Sequence, residues 1–300
     1  MYDVIILGQG PAGYTAAIYA ARYKLNTMVI GEHSGGLIVD AFIVENYPGF
    51  KKISGMELMM KIRKHVEYFD VEIKDEKIVD VSKKADVFVV KTNESEYKTT
   101  NIIYALGSEK RRLEVLGEKK FRGHGVSYCS TCDGPFAKNK IAGVVGGSDS
   151  ALLTTILLSK YAKKIYIIYR GSKLRGDQIN IDKVRKDSKV ELVYNSNIIE
   201  ITGEENIDKV RLDTGKELEL EMLFVEIGSI PQISMAEKLG CKIDENGYLI
   251  VDNYMRTNVE GVFAAGDITN TYTHFKQMTM AVGQGALAAY SAYEKNKRER

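Results

Sequence analysis

Short β-branched runs alternate with longer helical stretches along the chain, and their order carries the first expectation. Asp3 to Leu7 ends in the run Val4-Ile5-Ile6-Leu7 and reads as a strand. Gly8-Gln9-Gly10-Pro11-Ala12-Gly13 follows it directly. Alanine-rich Tyr14 to Tyr23 then reads as a helix, and Asn26 to Ile30 as a second strand before Gly35-Gly36 breaks the chain. Met59, Ile62, Val66 and Phe69 recur at spacings of three, four and three, one apolar face of a helix over Met56 to Phe69. Val87 to Lys91 and Ile102 to Ala105 are further strand candidates.

The same order recurs later. Ile141 to Val145 is a strand-like run that ends in Gly146-Gly147-Ser148-Asp149-Ser150-Ala151. A helix-like stretch follows to about Ala162, and Ile165 to Ile168 reads as the next strand. Near the end, Gly261 to Asp267 is an apolar strand closed by a Gly-Asp pair. Gln277 to Tyr293 reads as a helix whose small residues Gly283, Gly285 and Ala286 suit close approach by a ligand or strand. Tyr293 to Arg300 reads as a charged, frayed tail.

Strand, glycine turn and helix in this order are what a dinucleotide-binding unit needs. Gly8 permits the tight turn, Gly10 lets the backbone approach a pyrophosphate, and Gly13 lets the helix pack closely on the strand. The anion then faces the helix N-terminus. Glu32 stands about where a ribose-binding carboxylate is expected, although glycines flank it and a plain loop carboxylate is the other reading. Gly8 and Gly146 lie 138 positions apart, so the pattern is two nucleotide-type units rather than one large domain, with the C-terminal segment completing the first.

Length and composition agree with two α/β domains. The chain has 300 residues, 44% hydrophobic and 27% charged, enough apolar content for a core in each domain. A net charge of +2 gives no sign of a nucleic-acid binder or an electrostatically held membrane protein. No apolar stretch reaches the ~18 residues of a spanning helix, and no signal-peptide pattern precedes the first strand. The expectation is a soluble intracellular protein.

Three cysteines exclude a disulfide scaffold and a four-cysteine zinc site. Two of them form Cys129-Ser130-Thr131-Cys132, followed by Asp133. This spacing meets the geometry of a disulfide and lowers the pKa of one thiol. Asp133 is placed to take and return a thiol proton. Half of a zinc site is the competing use, but only Cys241 and the scattered His33, His65, His124 and His274 remain as ligands, and none forms a second pair. Cys241 reads as a small buried hydrophobe.

Taken together, these motifs resemble the low-molecular-weight thioredoxin reductases of bacteria and archaea. The resemblance covers nearly the whole chain. Beyond the first turn it rests on Val44 to Phe50, Gly123 to Gly134, Gly228-Ser229-Ile230-Pro231, Thr257-Asn258 and Gly261 to Asp267. It implies an FAD domain at 1–110 plus 236–300 and a central NAD(P)-type domain at 111–235 carrying the redox disulfide. Both would be Rossmann-like, with hinge crossings near Lys110 and Ala236 and a rotation between the domains. FAD would be held by Gly8, Gly10, Pro11, Ala12, Gly13, Glu32, Gly36, Glu45, Asn46, Gly107, Gly266, Asp267 and Gln277. Cys129, Cys132 and Asp133 would be catalytic, with Cys132 as the flavin-facing sulfur. The implied partner is thioredoxin or a similar small dithiol protein, and the implied assembly a homodimer in the cytoplasm.

The departures cluster in the second unit. NADPH would meet Gly146, Ser148, Asp149, Ser150, Arg170 and Arg175. There the usual middle glycine is Ser148, the usual glutamate pair is Leu153 and Thr154, and the usual His-Arg-Arg signature reads Tyr169-Arg170-Gly171. A side chain at Ser148 would crowd a pyrophosphate. Losing the middle arginine weakens a 2′-phosphate site. NADPH therefore competes as donor with reduced ferredoxin or a deazaflavin. A flavin-dependent dithiol oxidase and a nucleotide-bound sensor without turnover are the remaining alternatives. A ferredoxin–NADP⁺ reductase of this fold is disfavoured, because those relatives lack the cysteine pair.

Overall fold

A computed structural model describes residues 1–41, 43–272 and 275–299. His274 lies outside the described residues. The chain is α/β and divides into two compact units: Met1–Val39, Val44–Glu109 and Ile230–Arg300 form one, and Asp40–Ile43 with Lys110–Ser229 form the other.

The first unit is built on a five-stranded parallel sheet. Val4–Leu7 lies between Thr27–Ile30 and Ile102–Tyr104, with Val262–Ala264 and Glu72–Lys74 at the edges. Every residue of Val4–Leu7 is buried, as a central parallel strand covered on both faces requires. Each such aliphatic side chain contributes about 1.5–3 kcal/mol on burial. Pro11–Arg22 and Met278–Glu299 pack on this sheet. Helix Gly55–Glu67 is capped by Ser54, whose hydroxyl accepts from the Glu57 amide at 3.1 Å. Met59 and Val66 are buried and Ile62 and Phe69 pack beside them, so the apolar face read from spacing is the packed face. An antiparallel three-stranded sheet, Ile78–Lys84, Val87–Thr92 and Glu96–Thr99, completes the unit.

Up to Glu299 the charged C-terminal tail is helical rather than frayed. The last helix runs Met278–Glu299 without a break at Tyr293. Tyr293 stacks on Tyr23 with ring centroids 4.6 Å apart, and buried Asn296 accepts from Asn101 Nδ2 at 2.8 Å. These anchors outweigh the charge run that suggested fraying.

The second unit repeats the plan. Ile141–Val145 lies between Lys164–Tyr169 and Met222–Val225, and Val190–Tyr194 and Val126–Ser127 complete a parallel sheet. Helix Asp149–Leu158 follows its central strand. A small antiparallel sheet, Ile198–Gly203, Ile207–Leu212 and Glu217–Glu219, closes a second core around Val210, Leu212 and Leu223. Both units are Rossmann-like, and each places a glycine turn between its central strand and the next helix. Among the described residues, no helix is long and apolar enough to cross a membrane.

Candidate functional site: two nucleotide turns and a redox disulfide

The first turn is shaped by backbone contacts that exclude side chains. Gly8 has φ +115°, and a Cβ there would stand 2.2 Å from the Ala105 carbonyl oxygen. A Cβ on Gly13 would stand 1.9 Å from the Gly8 carbonyl oxygen. Gly10 is different: a Cβ would meet nothing within 4 Å. Gly10 is the N-cap of the first helix and Pro11 its first residue. No side chain caps that end, and no acidic residue lies in its first turn. No side chain therefore competes for the amides of that helix end, the arrangement that receives an anion.

Gln9, between the glycines, locks the turn to the sheet. Its Nε2 lies within hydrogen-bond distance of the carbonyls of Gly31 and Lys74 and of Asp75 Oδ1. Tyr14 donates to Gln9 Oε1 at 3.0 Å. Arg63 grips Asp75 through both guanidinium ends, at 3.1 and 3.0 Å, and holds its carboxyl below the usual carboxylate range.

Other residues expected near this turn fall in two groups. A Cβ on Gly36 would lie 3.3 Å from Gly10 Cα, so the Gly35-Gly36 break crosses the turn. Gly266, φ +85°, donates its amide to Gln284 Oε1 at 2.7 Å, and a Cβ there would meet Ala12 Cβ at 3.1 Å. Asp267 follows it, and burial pushes its carboxyl up despite Lys276 nearby. Asn46 Nδ2 donates to Gln277 Oε1 at 3.2 Å, joining two further expected residues. Glu32 is exposed and pairs with Lys77 at 3.9 Å; Glu45 is exposed; Gly107 has φ +66° and accepts from the Gln232 amide.

The second turn copies the first at one point. A Cβ on Gly146, φ +141°, would stand 2.2 Å from the Glu226 carbonyl oxygen, as Gly8 does with Ala105. Beyond that the two differ. Exposed Ser148 is the helix N-cap, and its side chain makes no cap bond. Asp149 Oδ1 in the first helical turn accepts from the Asp177 amide at 2.8 Å and Asn180 Nδ2 at 3.2 Å. The Tyr169 ring presses on both Gly147 and Gly171, where a Cβ would stand 2.6 Å from it. The Arg175 amide donates to the Gly147 carbonyl at 2.6 Å. Ser150, Arg170 and Arg175 are exposed.

Cys129 and Cys132 form a disulfide with Cα atoms 5.3 Å apart, Cys129 half-buried and Cys132 exposed. Cys129 caps the short helix Ser130–Asp133, its Sγ accepting from the Cys132 amide at 3.2 Å. Asp133 Oδ2 accepts from Ser127 Oγ at 2.6 Å, and the same Ser127 hydroxyl accepts from the Cys129 amide at 3.0 Å. Buried Ser130 meets Thr154 Oγ1 at 2.9 Å, and Thr154 Oγ1 lies 2.9 Å from Glu226 Oε1. Burial pushes the Glu226 carboxyl up, with Lys110 opposing the shift. Cys241 is buried far along the chain, and burial pushes its thiol up.

Sequence reasoning missed Asp40, Lys110, Glu226, Gln9, Arg63 and Asp75. Asp40, Lys110 and Glu226 sit in segments without a chemical motif, and only the fold carries them to the disulfide. For Gln9 a signal existed, because a long polar side chain between two glycines after a buried strand needs a partner.

The sequence profile of the pyridine nucleotide-disulphide oxidoreductases matches residues 2–285. A thioredoxin reductase of Listeria monocytogenes is 40% identical over 299 residues, covering 97% of this chain and 93% of that protein. The crystal structure of Lactococcus lactis thioredoxin reductase superimposes with a TM-score of 0.94 at 36% identity, covering 98% of both chains. A ferredoxin-flavin thioredoxin reductase from Clostridium acetobutylicum matches at 31% identity with a TM-score of 0.54, covering 99% of this chain and 98% of that one. The chain belongs to the pyridine nucleotide-disulphide oxidoreductase family and, within it, to the thioredoxin reductases.

Proposed function

We propose that the protein is a flavin-dependent thioredoxin-disulfide reductase, with thioredoxin or a similar small dithiol protein as its partner. The observation that carries this reading is the Cys129–Cys132 disulfide on a short helix, in a chain with two dinucleotide-type turns. Residues 1–110 plus 236–300 are the FAD domain, and 111–235 is the central domain bearing the disulfide. The empty space at Gly10 and the uncapped helix end fit a pyrophosphate there. Gly8, Gly10, Pro11, Ala12 and Gly13 hold it, and Glu32, Gly36, Glu45, Asn46, Gly107, Gly266, Asp267 and Gln277 line the rest. When bound, FAD supplies the two electrons that open the disulfide. Cys132 would receive the electrons of the bound flavin and Cys129 would attack the partner, while Asp133 would manage a thiol proton. The assembly is a homodimer in the cytoplasm, by analogy with the family.

Two donors compete. NADPH would bind at Gly146, Ser148, Asp149, Ser150, Arg170 and Arg175. A ferredoxin or deazaflavin donor is favoured by the Ser148 side chain, by the Asp149 carboxylate at the helix end, and by the Tyr169 ring against Gly147 and Gly171. The Clostridium acetobutylicum enzyme is named for such a donor. Anaerobic titration of the flavin-loaded protein separates the two. Bleaching within seconds by sub-millimolar NADPH establishes NADPH as donor. Bleaching by reduced ferredoxin alone establishes the other. Failure of either reduced form to reduce thioredoxin overturns the function itself.

A further inference from the structure

We propose that Asp40 is a second catalytic carboxylate, the base that takes the proton from Cys129 when the reduced pair attacks its partner. The proposal deepens the function above and rests on that reading of Cys129 and Cys132 as a redox dithiol. Asp40 opens the short segment Asp40–Ile43 that belongs to the second unit. Its Oδ1 stands 3.5 Å from Cys129 Sγ. Its Oδ2 is held by Lys110 Nζ at 3.1 Å, and its backbone carbonyl accepts from the Thr131 hydroxyl. Lys110 also donates to the Tyr128 carbonyl. Asp40 is thus tied to the redox segment through its side chain by Lys110 and through its backbone by Thr131. Among the described residues, Asp40 is the carboxylate grouped with both sulfurs, one of its oxygens and the two Sγ atoms lying within 4.8 Å of one another. Asp133, the carboxylate that the motif points to, is turned to Ser127 instead.

In the disulfide neither sulfur carries a proton, so 3.5 Å is a close approach and not a hydrogen bond. In the dithiol, Cys129 S–H faces Asp40 Oδ1. The Asp40 carboxylate takes the Cys129 proton, and the thiolate attacks one sulfur of the partner disulfide. The partner S–S bond breaks, a Cys129–partner S–S bond forms, and the departing partner thiolate receives the proton from Asp40. The Cys132 thiol, whose proton passes to Asp133 and on to solvent, then attacks Cys129 Sγ and re-forms the disulfide. The second partner sulfur leaves with the electron pair and takes a proton from water. The enzyme dithiol is oxidised and the partner disulfide is reduced by two electrons.

Among the described residues, the charged and titratable groups around Cys129 are Asp40 and Lys110 on one side, Cys132 on its own turn, Asp133 through Ser127, and Glu226 through Thr154 and Ser130. Of these, Asp40 alone offers an oxygen directed at Sγ.

The test is alkylation of the flavin-loaded protein, reduced with dithiothreitol and freed of it. Iodoacetamide is applied without oxygen from about pH 5 to about pH 9, spanning the carboxylate and thiol ranges. Peptide mass spectrometry reads Cys129 and Cys132 separately. Asp40→Asn is expected to move the Cys129 alkylation profile to lower pH than wild type, because a negative charge beside the sulfur is lost and Lys110 is released to it. Thioredoxin turnover is expected to fall by a factor on the order of 10². Asp40→Glu, which keeps the charge, should restore the wild-type profile, which a merely structural role would not do. Asp40→Asn with an unchanged Cys129 profile and turnover overturns the proposal, as does Asp40→Glu behaving like Asp40→Asn. A wild-type protein that never reduces thioredoxin overturns the function instead, so the two failures are distinct.

Discussion

Gly285 in the last helix faces the Ala12 carbonyl so closely that a Cβ on Gly285 would stand 2.2 Å from its oxygen. Two helices far apart in sequence are thereby fixed backbone to backbone. Gly285→Ala must push them apart, and we expect a loss of about 3 kcal/mol or more, as for severe overpacking. Gly283, two residues earlier, meets nothing within 4 Å. Gly283→Ala removes a flexible residue from a helix and should gain about 0.5–1 kcal/mol. Denaturant unfolding of the two variants should move in opposite directions; a loss at both would contradict the contact geometry.

The three glycines of the first turn should separate in the same way. Gly8→Ala and Gly13→Ala force side chains into the Ala105 and Gly8 carbonyls and should compromise folding. Gly10→Ala meets open space and should fold, yet lose bound flavin. Circular dichroism and the flavin absorbance of the purified proteins read the two effects. A Gly10→Ala protein with full flavin would remove that glycine from the binding site.

Much of this was legible beforehand, for a physical reason. A fully buried parallel strand such as Val4–Leu7 must be continuously apolar, and a tight turn onto a helix must be glycine-rich, so both leave marks in sequence. Cys129 and Cys132 are close in sequence, so their pairing was readable too. Asp40 stands 89 positions from Cys129, and Glu226 72 from Thr154. Nothing local distinguishes a carboxylate that the fold will carry to a sulfur from one that solvent will keep. The charged tail misled in the opposite sense: its net charge hid Asn296, whose burial pins the last helix.

Ser148→Gly tests why the second turn departs from its family pattern. If the Ser148 side chain crowds a pyrophosphate, its removal should lower the KM for NADPH by roughly tenfold, worth about 1.4 kcal/mol. Stopped-flow flavin reduction at graded NADPH is the measurement. An unchanged KM would shift the cause to Tyr169 and Gly171.

Glu226 should make stability depend on pH. Burial raises its carboxyl, so the folded protein holds this proton more tightly than the unfolded chain. That contribution is complete below the ordinary carboxylate value and is lost as pH rises through the raised value. Glu226→Gln keeps a partner for Thr154 without the titration. Relative to wild type, it should be more stable near pH 8 than near pH 5 by on the order of 1 kcal/mol. Urea midpoints at the two pH values check the sign.

The central claim is that electrons reach the partner through the Cys129–Cys132 pair. Its most direct test is Cys132→Ser in the flavin-loaded protein, supplied anaerobically with whichever reductant bleaches the wild-type flavin. The flavin is expected still to bleach while thioredoxin reduction falls to background. Thioredoxin reduction at the wild-type rate in that variant would contradict it.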